Sequence, residues 1–178
     1  IGYACGQTLP DCAQDLCLSD SVECVGGSSL ASTTNIITFS SCVYSLTTME
    51  LLSDVDLSSV EGFPSVNIPP GATYVIDGGG FTLSASKSSA LGSLFTVKAG
   101  ASLELRNIVL TNEGGRAVYV ESGGTLIAGE GCVFKGNTGA DNGGAVYNYG
   151  NFTADSATFT GNTASNDVAS TYGGAVYN

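Results

Sequence analysis

The chain of 178 residues has no Trp, no His, and only five Lys and Arg residues against 16 Asp and Glu residues, which gives a formal net charge of −11. Such an acidic chain repels nucleic acid, so we expect no nucleic-acid partner. It also lacks an apolar run of about 18 residues, and the sequence therefore predicts no membrane span. Neither an initiating Met nor a signal peptide is present, so we expect any export leader to have been removed already.

What the chain does contain is an internal repeat. The sequence Phe-Lys-Gly-Asn at 134–137 precedes Gly-Gly-Ala-Val-Tyr-Asn at 143–148, and Phe-Thr-Gly-Asn at 159–162 precedes the same six residues at 173–178. Self-similarity at a period of about 20–50 residues is typical of proteins that stack one structural unit on the next. The later copy is five residues longer, and all five lie between its two motifs. We therefore expect a loop there and a fixed unit elsewhere.

Weaker copies of the unit extend back to about residue 66. Each has a corner glycine followed by alternating apolar residues, a pattern that predicts a short strand with one buried face. A residue without Cβ adopts positive φ at such a corner at no steric cost. The corner glycines are Gly71, Gly100, Gly123 and Gly150. A second apolar pair follows in every copy, so each unit of 23–30 residues should hold about three strands.

These patterns predict an all-β chain, with a right-handed parallel β-helix over 49–178 and a Cys-rich N-terminal head or cap over 1–48. Each turn would lie on the last at about 4.8 Å, so that equivalent side chains stack in columns. Asparagines at equivalent positions would then form ladders that bond to the turns above and below. The ladder candidates are Asn137 with Asn162 and Asn148 with Asn178. Met49–Leu57 is either a first irregular turn or a short capping turn.

The paired Phe-x-x-Asn and Gly-Gly-Ala-Val motifs resemble those in the β-helical passenger regions of polymorphic outer membrane proteins. They are also similar to the wider class of pectin-lyase-like repeat proteins on bacterial and algal surfaces. The resemblance covers about residues 66–178 and does not extend to the first 65 residues. It implies secretion, a β-helix, and adhesive or structural work outside the cell.

Five of the six cysteines lie in the first quarter of the chain. These disulfide candidates are Cys5, Cys12, Cys17, Cys24 and Cys42. We predict two bridges, consistent with an oxidising compartment, but spacing does not rank the possible pairings. The left-over thiol either links to a neighbouring subunit or is a buried Cys42. A metal site is not expected, because CxxC spacing and His are both absent. Cys132 shares a column with core positions and predicts a buried free thiol.

The C-terminal end of the predicted coil has no cap, because the sequence stops at Asn178, just inside a further copy of the unit. Two interpretations remain open. Either the chain is a fragment and further turns follow, or the open edge is completed by the N-terminal segment of another copy. The second interpretation gives head-to-tail addition into a filament, with the strand-like segment 34–46 as the donor.

Catalysis by a β-helix of the polysaccharide-cleaving kind needs two or three carboxylates close together. In this coil the acids are scattered, and only Glu113 and Asp141 approach each other in the alignment, without a basic neighbour placed for catalysis. Asp77 precedes three glycines and is typical of a turn. We therefore expect no enzyme, no cofactor and no metal, with a polysaccharide lyase or hydrolase as an alternative.

Two columns of polar or aromatic residues should face outward. Thr73, Ser102 and Thr125 form a short column that breaks in the fourth copy, which argues against an ice-binding face. Asn151 follows there and carries the only N-glycosylation sequon, so it is a candidate exposed glycosylation site.

The second column is aromatic and contains Tyr119, Tyr147 and Tyr177. It is either a stripe that contacts sugars or subunits, or a ladder that stabilises the sheet.

The sequence as a whole predicts a non-catalytic structural protein of an extracellular or cell-surface appendage, with copies of itself as head-to-tail partners. The alternative is a fragment of a surface adhesin that binds glycans or a host surface.

Overall fold

The computed structural model describes residues 29–30, 48–51, 53–59, 65–85, 92–165 and 172–178. Every strand pair among them is parallel, and the chain visits three main sheets in turn. The predicted all-β parallel β-helix is therefore confirmed, while its right-handed sense stays a prediction. The five N-terminal cysteines and the donor segment 34–46 lie outside the described residues, so the Cys-rich head, its boundary and its disulfides stay predictions.

The strands are numbered in chain order. Sheet A contains β1 (Ser29–Leu30), β2 (Thr48–Leu51), β5 (Thr73–Asp77), β8 (Ser102–Arg106), β11 (Thr125–Ala128) and β15 (Asn151–Ala154). Sheet B contains β3 (Val55–Asp56), β6 (Thr82–Ala85), β9 (Val109–Asn112), β12 (Val133–Lys135) and β16 (Thr158–Thr160). Sheet C contains β4 (Val66–Ile68), β7 (Ser93–Val97), β10 (Arg116–Val120), β14 (Val146–Asn148) and β18 (Val176–Tyr177). A small sheet pairs β13 (Thr138–Gly139) with β17 (Thr163–Ala164).

Each turn of the coil contributes one strand to each main sheet, and we number these turns as rungs. Rung 1 contains β2, β3 and β4, rung 2 begins at β5, rung 3 at β8, rung 4 at β11 and rung 5 at β15. Because β2 pairs with β5 and β3 with β6, the described residues of Met49–Leu57 belong to a first rung rather than to a capping turn. A 3-10 turn at Leu57–Ser59 follows β3.

The core consists of apolar columns that run along the rod. In sheet A, Tyr74, Leu103 and Leu126 lie in register and are at most 2% exposed. In sheet B, the Phe134 and Phe159 rings stack with centroids 4.7 Å apart and planes 4° apart. Burial of each large apolar side chain stabilises the fold by about 1.5–3 kcal/mol, so these columns are the main source of the stability of the rod.

Three of the four predicted corner glycines share one conformation. Gly71, Gly100 and Gly123 have φ of 79°, 74° and 83°, and the N–H of each of the first two donates to the carbonyl of the next at 3.2 and 2.9 Å. The prediction is wrong for Gly150, which lies against Gly124 rather than Gly123. The reason is the length of the connection: residues 149–150 lead into β15, whereas the four residues 121–124 lead into β11 one rung earlier. A Cβ on Gly150 would lie 2.2 Å from the Gly124 oxygen, so close backbone approach, and not positive φ, requires glycine there.

Candidate functional site

The corner of the coil between sheets B and C differs in length from rung to rung. Its connections include 57–65 in rung 1, 113–115 in rung 3, 136–145 in rung 4 and 161–175 in rung 5. The other two corners hold two to four residues in every rung. We call the first one the variable corner. Loops of changing length on a constant scaffold are where proteins usually place binding residues.

The asparagines of the Phe-x-x-Asn motifs lie where the chain enters the variable corner, and they form a ladder. The Asn137 side-chain amide donates to the Leu110 oxygen in rung 3 at 3.1 Å and to Asn162 Oδ1 in rung 5 at 2.9 Å. Asn162 Oδ1 also accepts from the Asn137 backbone N–H at 3.1 Å, and Asn162 Nδ2 donates to the Phe134 oxygen at 2.9 Å. Rungs 4 and 5 therefore fix each other's corner through the same pair of side chains.

This ladder begins only at rung 4. The corresponding residue of rung 3 is Asn112, which lies two residues after Leu110 rather than three, and its amide donates to the Arg116 oxygen at 3.0 Å. As a result the side-chain oxygens of Asn112 and Asn137 are both buried without a hydrogen-bond partner. An unpaired buried polar atom costs about 1–3 kcal/mol, so rungs 3 and 4 are less well matched here than rungs 4 and 5.

The second pair of asparagines holds the short connection into β15. Asn148 Nδ2 donates to the Gly150 oxygen at 3.1 Å and to Asn178 Oδ1, and Asn148 Oδ1 accepts from the Gly150 N–H at 3.0 Å. Asn148 is 3% exposed. Asn148 therefore links rungs 4 and 5. Its side chain also holds the backbone of the two-residue connection, where the four-residue connections of the earlier rungs use a glycine with positive φ.

A buried cation lies beside the variable corner. The Arg116 guanidinium forms an ion pair with Asp141 and lies 4.8 Å from the centroid of the Tyr147 ring. The Arg116 side chain is 9% exposed, whereas that of Asp141 is 47% exposed, and Arg116 Nε has no hydrogen-bond partner. The sequence did not reveal this pair, because Arg116 and Asp141 lie in different copies of the unit. The pair joins rung 3 to rung 4.

The predicted tyrosine column exists, but it is not a row of free rings. Tyr119, Tyr147 and Tyr177 are in register, with edge-to-face contacts at 5.6 and 5.0 Å between centroids. Tyr147 is 8% exposed, which supports the interpretation as a stabilising ladder. Sequence reasoning missed Tyr149, which contacts both Tyr119 and Tyr147 and is 54% exposed. Its hydrogen bond with the Tyr147 hydroxyl raises the pKa of Tyr149 to about 12.

The other predicted outward column follows the expected register. Thr73, Ser102, Thr125 and Asn151 are neighbours in consecutive rungs of sheet A. Asn151 is exposed, on the side of rung 5 where a glycan would meet solvent. Whether the sequon carries a glycan stays a prediction.

Cys132 lies inside the coil, one residue before β12. It is 1% exposed, forms no disulfide, and its Sγ donates to the Leu105 oxygen at 3.0 Å. Burial raises the pKa of this thiol to about 11. Its surroundings are those of a small apolar side chain, not of a reactive thiol.

Two of the described acids illustrate structural roles for carboxylates in this coil. Asp77 Oδ1 accepts from the Gly79 N–H at 2.9 Å, which closes the expected turn. Glu121 pairs with Lys98 at 2.7 Å, and this hydrogen bond lowers the pKa of the Glu121 carboxyl. No group of three or more His, Cys, Asp or Glu residues within the described ranges is placed to hold a metal ion. The same ranges contain no helix with the length and apolarity to cross a membrane.

Comparison with known families gives a match to a repeat model. The model of the Chlamydia polymorphic membrane protein repeat matches residues 131–149 and 156–178. These two segments begin just before β12 and β16 and contain both asparagine ladders. The last two copies of the unit in this parallel β-helix are thus similar to the polymorphic membrane protein repeat, as the motifs predicted. No curated protein and no solved structure matches it.

Proposed function

We propose that the chain is a non-catalytic, surface-exposed rod, equivalent to the β-helical passenger of an autotransporter-like cell-surface protein. The observation that carries this proposal is the coincidence of the family match with the part of the coil in which Phe and Asn repeat in register. Polymorphic membrane proteins are surface proteins, which supports a cell-surface or secreted location. The regular rungs supply stiffness, and we assign no reaction to them.

The binding face of this rod is the variable corner. Its connections change in length while the three sheets keep their register, and Tyr172, at 61% exposure, lies in the longest of them. Surface glycans or a host surface are the partner class that an adhesive rod of this kind would contact.

A matched deletion tests the adhesive role. The rung 5 connection 161–175 can be replaced with its own shorter counterpart from rung 4, 136–145, which removes five residues and keeps both motifs. Beads coated with the wild-type chain should adhere to cultured cells or glycan arrays above albumin-coated beads, and the deletion should reduce adhesion. Wild-type beads that behave like albumin beads would sink the adhesive function. Undiminished adhesion by the deletion variant would remove the variable corner as its site.

A second candidate function is assembly of copies head to tail into a fibre. What supports it is that no described residue covers the outer side of rung 5, where Phe152, Phe159 and Val176 are half-buried, whereas their counterparts in rung 4 are buried. That edge offers a stacking template for another rung, and the N-terminal segment of a second copy is the occupant we propose, giving a homopolymer.

Negative-stain microscopy and sedimentation over a range of concentrations test assembly. Unbranched fibres that shorten when Phe159 is replaced with Asp support head-to-tail stacking, because a charge on the edge opposes burial there. Rods that stay short and monodisperse at every concentration rule the fibre out and leave the adhesive proposal untouched.

A further inference from the structure

The sequence contains a single Asn-Gly pair, Asn142–Gly143, and the structure places it in the variable corner of rung 4. In such a pair the glycine nitrogen reaches the side-chain carbonyl carbon of the preceding asparagine more readily than in other Asn-x pairs, because glycine has no Cβ to hinder the approach. The pair is therefore the place in this chain where spontaneous deamidation has the least steric barrier.

Both reacting groups of this pair are engaged by one residue of the next rung. Asn142 Oδ1 accepts from the Tyr172 backbone N–H at 2.7 Å, and the Gly143 N–H donates to the Tyr172 oxygen at 3.1 Å. The asparagine side chain is thus held toward rung 5, and the nitrogen that would attack keeps its proton in a hydrogen bond. Ring closure requires the Gly143 N–H to leave its acceptor and the Asn142 side chain to be free to turn its Cγ toward the Gly143 nitrogen.

We propose that Asn142–Gly143 is a self-modification site that rung 5 protects and that reacts when this rung opens. A bond forms between Gly143 N and Asn142 Cγ, and the bond from Cγ to Nδ2 breaks. The amide nitrogen leaves as ammonia and takes with it the proton from Gly143 N. Water then opens the cyclic imide at either carbonyl and leaves aspartate or isoaspartate at position 142. Water is the only co-reactant.

The surroundings make the change consequential. A new carboxylate at 142 adjoins Asp141, the partner of buried Arg116. An isoaspartate lengthens the backbone in a corner that has no spare room, since a Cβ on Gly143 would lie 2.1 Å from the Val146 oxygen. Either product weakens the junction of rungs 4 and 5, so the modification is an irreversible record of opening at this junction.

The experiment follows deamidation at Asn142 by peptide mass mapping, with enzymatic detection of isoaspartate, in mildly alkaline buffer with and without urea. Asn142→Gln shows the background at this peptide. Phe159→Ala loosens rung 5, and Val66→Ala is the matched control, because it truncates a buried side chain in rung 1, which does not adjoin rung 4 or rung 5. In a solenoid each rung contacts only its neighbours, so the control should leave rung 5 closed.

We expect the unfolded chain to react roughly tenfold or more faster than the native chain, as for any group protected by local structure. In native buffer Phe159→Ala should accelerate the reaction several-fold, and Val66→Ala should leave the wild-type rate. Asn162→Ala, which removes the ladder but keeps the stacked rings, is the second variant if Phe159→Ala does not fold. Equal rates in native and unfolded wild-type protein, or no acceleration by the folded rung 5 variant, overturn the proposal.

Discussion

Rungs 3 and 5 each contribute one strand to each of the three main sheets, yet different contacts hold them in place. Rung 3 lies between two neighbours, and its core side chains Leu103, Leu105 and Leu110 have no exposed surface. Rung 5 has a described neighbour on one side only, and Phe152 and Phe159 remain half-buried. The regular asparagine ladders join rung 5 to rung 4, whereas rungs 3 and 4 meet with two unpaired amide oxygens. Closed apolar columns thus hold rung 3, whereas paired asparagines add to the contact between rungs 4 and 5.

The largest expected effect contrasts two phenylalanines of the same column. Phe134→Ala should lower the free energy of unfolding by about 3–5 kcal/mol, because it leaves a cavity in a closed core. Phe159→Ala should cost less than half of that, since water already reaches its ring. Urea denaturation followed by circular dichroism measures both. Equal costs would show that rung 5 is as closed as rung 4 in solution.

The next effect contrasts the asparagines. Asn137→Ala removes bonds to both neighbouring rungs and should cost about 2–3 kcal/mol. Asn112→Ala loses a single bond, which lies within its own rung, so it should cost about 1 kcal/mol or less; each of the two substitutions also removes one unpaired oxygen. Urea unfolding curves of the two alanine variants test this order of costs. Asn137→Asp and Asn112→Asp serve as comparison variants. A larger loss at Asn112 would mean that the junction of rungs 3 and 4 is better bonded than the ladder above it.

A smaller effect concerns the ion pair that bridges this junction. Asp141→Asn should cost about 1 kcal/mol, because it leaves the buried Arg116 charge with only the Tyr147 ring and solvent on the Asp141 side. This expected cost is lower than that of breaking a fully buried ion pair, because the Asp141 side chain is half-exposed and water screens its charge. In a double-mutant cycle, Arg116→Met should lower the free energy of unfolding by less in the Asp141→Asn background than in the wild-type chain. Strictly additive losses would show that the pair does not couple the rungs.

The smallest effect at neutral pH comes from Cys132, which joins rung 4 to rung 3. Its pKa is raised from 9.0 to about 11 in the folded chain. The unfolded chain therefore loses its thiol proton first, and the thiol's contribution to stability is intact below pH 9 and lost as the pH rises toward 11. Cys132→Ala should flatten this alkaline part of the stability curve. A thiol that reacts with a bulky reagent in the native state at neutral pH would contradict the buried assignment.

Much of the fold was accessible from sequence because columns repeat. The period-two alternation predicted Leu103 and Leu126 in one column, and the spacing from Phe to Asn predicted which asparagines meet. The position of Gly150 was predicted wrongly because its connection is two residues shorter than those of the earlier rungs. The strands keep their register, so Gly150 lies opposite Gly124 and not opposite the corner glycine Gly123. The pairing of Arg116 with Asp141 was not predictable, since the two residues occupy different rungs and lie in the corner whose length varies.

By itself, the sequence determined that the chain winds as a parallel coil and which side chains share a column, because identical units stack only when their apolar faces and amides coincide. Tertiary structure alone decided what lies at the variable corner: the partner of Arg116, the burial of Tyr147 against the exposure of Tyr149, and the contacts that hold Asn142. These depend on how loops of unequal length settle against neighbouring rungs, and no periodicity encodes that.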